Sequence, residues 1–197
     1  MIDLITGYKG QAHITAAEDA KFNAAMLGEG NYVFMVGNKL ASQIVSNNCV
    51  RILDGLAAFQ GRKFYVEDYE DVIIDTGAAD KHRTDLIVAR YEKSTITGVE
   101  SITFAAIKGV ESDTETADPE YTVGNMNDGD LLVEIPVYRV KLSGLDITAV
   151  EKMDNWEEIL PMTERNAGGG GNYTYGTTDL IAGVSELAEG SLYFMYE

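Results

Sequence analysis

Four consecutive glycines, Gly168 to Gly171 in "AGGGGNYTYG", are the residues most suggestive of chemistry in this chain. Glycine-rich loops wrap phosphates when a Lys-Ser or Lys-Thr follows and a helix N-terminus faces the anion. Here Asn172, Tyr173, Thr174 and Tyr175 follow instead, a β-prone run without lysine. The glycines therefore read as slack between two folded pieces, and no cofactor is expected.

The remaining reactive residues are sparse. His13 precedes a helix cap and His82 lies in "DKHRTD", neither with a His, Cys or carboxylate partner at metal-ligand spacing. Cys49 is the single cysteine, which excludes an intrachain disulfide and a thiolate zinc cluster. Its place in an alternating strand suits an inert buried thiol. "GVSEL" around Ser185 lacks the second glycine of a nucleophile elbow, since Leu187 occupies that place. In "NMNDGD", aligning Gly129 with the invariant glycine of a calcium loop puts Met126 and Gly124 where oxygen ligands belong. Ile135 then stands where the bidentate glutamate should be, so a polar turn is the expectation and no metal site is assigned. Paired carboxylates such as Glu67 to Asp71 and Glu157–Glu158 arise by chance in so acidic a chain, and no catalytic residue is assigned.

That acidity itself excludes partners. Fifteen basic against 32 acidic residues give a formal net charge of −17, spread along all 197 residues. Nucleic acids and anionic lipids are bound chiefly by lysine and arginine, so neither is an expected partner. No apolar run approaches the ~20 residues that span a bilayer, so membrane insertion is not expected. The first residues lack a basic n-region and a long apolar h-region. Maturation in a reducing cytoplasm, or exit without the secretion pathway, is the expectation.

The expected scaffold is mainly β, an antiparallel sandwich or barrel-like fold with one short N-terminal helix. Twenty glycines, three prolines and eleven tyrosines favour strands with many turns. Thr15 and Glu18 fit a capping box, Phe22 and Met26 form a narrow apolar stripe, and Gly28 suits a helix stop at positive φ. Alternation in "NCVRILDG" puts Cys49, Arg51 and Leu53 on one face and Val50 and Ile52 on the other. Asp54–Gly55 predicts a hairpin turn. "RTDLIVARYEK" and "GVESITFAAIKG" predict two strands joined by a longer hairpin, with Leu86 and Val88 filling a core. A long polar loop surrounds Pro119, and Pro136 places the next strand at an edge or a bulge. Val150, Met153 and Trp156 at helical spacing suggest a further short helix. Boundary signals divide the chain into a β-rich domain at 1–160, a linker at 161–172 and a small C-terminal β-hairpin module at 173–197.

Several stretches together resemble one family. "MIDLITGYKGQAHITAAEDAKFNAAMLGEGNYVF", "GNKLASQIVSNNCVRILDGLAAFQGR", "RTDLIVARYEK", "DPEYTVGNMNDGD" and "IPVYRVKLSGL" follow one another in the order found in tail proteins of phages and prophages of Gram-positive (Firmicutes) bacteria. The last stretch, "YTYGTTDLIAGVSELAEGSLYFMYE", is similar to a C-terminal module of tail-associated minor structural proteins. The resemblance implies a tail, baseplate or tail-fibre component in the virion, made in the host cytoplasm, with no catalytic residues to carry over. Its recurring positions here are Gly7, Gly10, His13, Gly30, Gly37, Asn38, Gly55, Gly61, Arg83, Asp85, Arg90, Tyr91, Tyr138 and Arg139, which look like turn, cap and strand positions. Partners so implied are the chain itself, as a trimer or hexamer, and other tail proteins. Arg83, Asp85 and Arg90 are expected to pair locally at strand ends, the alternative being a subunit interface. A cell-surface glycan-binding module is the alternative function, with Trp156, Tyr173, Tyr175 and Tyr193 as stacking platforms. A tail-associated hydrolase is a third reading.

Overall fold

A computed structural model describes residues 15–160, 173–176 and 192–195. The chain divides into two compact units, Met1–Ile159 and Leu160–Glu197. In the first, α1 (Ala16–Leu27) precedes β1 (Asn31–Phe34), β2 (Ser42–Ser46), β3 (Cys49–Phe59) and β4 (Arg62–Ile73). There follow β5 (His82–Lys93), β6 (Glu100–Ile107), β7 (Leu132–Ser143), β8 (Asp146–Lys152) and β9 (Glu157–Ile159). The fold is mainly β, in two sheets, with the single short helix near the N-terminus, as the composition suggested.

In the first sheet β3 is the spine. Its N-terminal half pairs with β2 and its C-terminal half with β1 along one edge, while β4 runs antiparallel along the other. β9 joins β1 in parallel, the one departure from antiparallel pairing among the described residues of this unit. The second sheet has the order β6-β5-β7-β8, all antiparallel. One core lies between the sheets. Val50 and Ile52 of β3 are buried in it, as the alternation required, together with Ile87, Ala89 and Tyr91 of β5 and Val133, Ile135 and Val140 of β7. Fully burying a side chain of this size contributes roughly 1.5–3 kcal/mol.

Turn chemistry explains where β3 ends. Asp54–Gly55 is not a hairpin turn: it sits inside β3, at a bulge in the pairing with β4. The hairpin is instead made by Gln60 (φ 48°) and Gly61 (φ 83°), two positive-φ residues that match the strand twist. Gly61 has a second constraint, because a Cβ there would lie 2.2 Å from the Ala20 carbonyl oxygen of α1.

That close approach corrects the expected helix face. Thr15 and Glu18 do form the capping box, and Gly28 ends the helix at φ 101°, with an extended ψ of 168°. The buried residues, however, are Ala20 and Asn23, whose amide donates to the Gly61 carbonyl at 2.9 Å. Phe22 and Met26 point away and are about half exposed. Small residues face the turn because the backbones are too close for large ones.

Pro136 lies beside a bulge of β7, where β5 pairs next to it but β8 has already ended. Val150 belongs to β8, and Met153 and Trp156 lie between β8 and β9, so no helix forms there. In the second unit β10 (Tyr173–Gly176) and β11 (Leu192–Met195) pair in parallel, not as a hairpin.

Candidate functional site

The outer face of the second sheet carries most of the organised polar chemistry. Along β5, Thr84, Leu86, Val88 and Arg90 point away from the core, opposite Arg139, Pro136 and Glu134 of β7. Leu86 and Val88 are nonetheless fully buried, so they fill a second apolar layer and not the inter-sheet core. Residues 111–122 cross this face as a strap. Thr84 Oγ1 donates to the Thr116 carbonyl at 3.0 Å, and Thr122 exchanges hydrogen bonds with Glu134 at 2.7 and 2.8 Å. Arg139 grips Asp118 with two bonds of 2.5 Å. That guanidinium holds the Asp118 carboxyl below its ordinary value, and is itself held above its own. Burial pushes Glu134 up, but the Thr122 backbone and Arg90 outweigh it and leave the group below the usual range.

Arg83 and Asp85 sit at the end of the core. The guanidinium donates to both Asp85 oxygens at 2.8 and 3.0 Å, to the Thr76 carbonyl at 3.2 Å, to Glu111 at 3.2 Å and to the Asp75 carbonyl. Asp85 also accepts the Gly109 amide at 2.8 Å. Burial works against the charged guanidinium, yet Asp85 and Glu111 raise Arg83 above its ordinary value. Both side chains are buried, so they clamp the β4–β5 and β6–β7 connections together and present nothing to a neighbouring subunit. Arg90 pairs across the sheet with Glu134 at 2.8 Å. Local pairing therefore holds for all three residues.

Trp156 is a core residue. It is 4% exposed, donates to the Val137 carbonyl at 3.2 Å, and meets Tyr138 edge to face. Lys152 lies 3.9 Å over its ring, leaving no face for a sugar. Tyr173 and Tyr175 lie on β10 and Tyr193 on β11; their side chains fall outside the described residues. Gly7, Gly10, His13 and Ser185 fall outside them as well.

Other recurring positions meet at the β1–β2 connection. The Asp54 carboxylate bonds the Asn38 side chain, and Tyr138 Oη donates to the Leu40 carbonyl at 2.7 Å. A Cβ at Gly55 would stand 2.6 Å from the Leu40 nitrogen, so glycine is required for the approach. Burial pushes Tyr138 up to about 12, which keeps its hydroxyl a donor at neutral pH. The sequence offered no signal for this cluster beyond the residue types, because Asp54 caps a turn that lies far from it along the chain.

Two cavities were candidates for a ligand. One, of about 260 Å³, lies between Ala16, Asp19, Arg62, Tyr91 and Glu100. Its charges are already paired: Arg62 with Glu100 at 3.3 Å, and Lys63 with Asp19 at 3.1 Å. Burial pushes Glu100 up, but Arg62 outweighs it and holds the carboxyl below the ordinary value. The Tyr91 hydroxyl is buried beside Glu100 without a well-formed hydrogen bond, and burial raises it. The second, an open hollow of about 510 Å³, is floored by the Arg90–Glu134 pair.

"NMNDGD" is a self-bonded turn, in which Asp130 accepts the Asn125 amide at 2.8 Å and Asp128 the Asn125 side chain at 2.9 Å. Met126 from this turn is buried in the core. Cys49 is buried, and burial pushes its thiol up, away from a nucleophile. Among the described residues no three His, Cys, Asp or Glu side chains converge to hold a metal ion, and no helix is long and apolar enough to cross a membrane. Set against known protein families and curated proteins, the chain matches no family model and no curated sequence.

Proposed function

We propose that this chain is a structural component of a phage or prophage tail or baseplate, acting in assembly and contributing to host attachment. Its place is the virion tail, after synthesis in the bacterial cytoplasm. The observation that carries the reading is where the recurring tail-protein positions fall. Asn38, Gly55 and Tyr138 meet at one turn, Gly61 admits the helix, and Arg83, Asp85 and Arg139 bind the long connections to the sheet. Side chains of this kind hold a shape, and their polar groups are already bonded to one another.

The glycan-binding alternative loses Trp156, which is buried, and rests on Tyr173, Tyr175 and Tyr193 alone. A hydrolase gains no support from the first cavity, whose charged groups are mutually paired, and the second is floored by the bonded Arg90–Glu134 pair. Tail components assemble around three- or sixfold axes, so the chain should associate with itself in threes or sixes. Light scattering behind a sizing column measures this directly. A mass of three or six copies is expected, and a monomer at every concentration would overturn the self-assembling role.

A further inference from the structure

The two sheets approach each other along one seam, between β4 of the first and β6 of the second. β4 pairs only with β3 and β6 only with β5, so each leaves one edge without a ladder among the described residues. No backbone group of residues 101–107 bonds to a described residue outside the β5 ladder. The two edges differ in protection. β4 carries Lys63, Glu67, Asp68, Glu70 and Asp71, charges of the kind that keep an edge from pairing. The run "SITFAAI" of β6 carries none.

Two hollows lie along the seam. The first, of about 260 Å³, is lined by Ala16, Phe64, Tyr91 and Ile102 among others. The second, of about 190 Å³, lies between Phe64, Val66, Ile102 and Phe104. Phe64 and Ile102 line both, so the hollows form one trough. At its first end the Tyr91 hydroxyl is buried without a well-formed hydrogen bond, on a residue 1% exposed. A buried hydroxyl in that state marks a missing partner.

The entry point of the chain indicates what supplies it. α1 begins at Ala16, which lines the first hollow beside Ser101 and Ile102. Residues 1–14, outside the described residues, therefore lead to the seam at the start of β6. At about 3.4 Å per residue they reach roughly 48 Å, against about 27 Å for β6. Their opening "IDLIT" alternates, with Ile2, Leu4 and Thr6 on one face and Asp3 and Ile5 on the other.

We propose that residues 1–14 supply a further strand along the free edge of β6 in the same chain. A backbone group of that strand bonds the Tyr91 hydroxyl, and its alternate apolar side chains fill the trough. Direction follows from the entry point: a segment that ends beside Ser101 comes from the Ile107 end, antiparallel to β6. Main-chain bonds supply the pairing, and the trough selects alternate apolar side chains. The inference concerns how the sandwich closes and does not depend on the tail reading.

The test is amide hydrogen exchange, by NMR, on the full chain and two variants. One variant lacks residues 2–9; the other keeps full length and carries Ile2→Asp and Leu4→Asp. The alternate amides of β6 that face away from β5 should be slow in the full chain and about tenfold or more faster in both variants. Amides of β7, remote from the seam, should be unchanged, which shows that the fold is retained. If the truncated chain exchanges faster throughout, the full-length variant decides. Fast exchange at those β6 amides in the full chain would overturn the proposal, as would slow exchange that neither variant alters. Protection that is lost on dilution would overturn pairing within one chain and assign the strand to a neighbouring copy.

Discussion

The two sheets have opposite outer faces. Leu86 and Val88 on the second are sealed by the chain itself, under a strap tied down by Asp118, Thr122 and Glu111. Tyr65, Tyr69 and Ile73 on the first have no such cover among the described residues. An apolar sheet face can be satisfied within a chain or between chains, and among the described residues only the second sheet's outer face is covered.

Breaking the sealed side should cost most. Arg83→Ala leaves Asp85 charged and buried without its partner, and should destabilise the fold by about 3–5 kcal/mol in urea titrations. Leu86→Ala, beneath the strap, should cost about 2–5 kcal/mol, the range for a filled apolar site. A loss from either near that of a surface change would mean that the strap does not seal a packed layer.

Arg139→Gln is a smaller perturbation, because that pair is one-third exposed. About 1 kcal/mol is expected, accompanied by faster amide hydrogen exchange across residues 114–123. Uniform exchange, unchanged in the strap, would show that Asp118 is not what ties it. Acid should act on the same ties. Asp118 is depressed by Arg139, and Glu134 is depressed although burial opposes it. Each therefore contributes stability that is complete above its unfolded value, about 4, and is lost as pH falls through the folded value. Resistance to urea should fall below about pH 4, and Asp118→Asn should flatten that fall. An unaltered pH profile in the variant would remove Asp118 from the account.

The bare side should be indifferent by comparison. Tyr65→Thr in dilute solution is expected to change stability by less than about 0.5 kcal/mol. A larger loss would mean that the tyrosine packs within its own chain.

Much of the fold was legible beforehand, though not the contrast between its faces, and the failures have physical causes. The period of two in "NCVRILDG" located the buried Val50 and Ile52, since alternation depends only on the strand itself. The capping box, the β5–β6 hairpin and the bulge at Pro136 are likewise local. Asp54–Gly55 misled because its residue types suit both a turn and a bulge; the choice was made by Leu40, distant in sequence. Val150, Met153 and Trp156 fit a helical period by coincidence, and the β7 edge captured Val150 for a strand. Phe22 and Met26 formed the apolar stripe, but Gly61 lets the backbone of α1 approach so closely that only small residues fit. Leu86 and Val88 could not be assigned a layer, because nothing local reveals that a polar strap will lie over them. Arg83 and Asp85 were visible as a pair, whereas their burial depends on carbonyls of Asp75 and Thr76 brought in by another connection.

One face is closed within the chain, and the other is open among the described residues. Chemical labelling of tyrosines compares them within one sample, with Tyr91, 1% exposed, as the internal reference. Tyr65 and Tyr69, 71% and 50% exposed, should label readily in dilute solution while Tyr91 stays protected. Protection of Tyr65 and Tyr69 equal to that of Tyr91 in dilute solution would contradict the account.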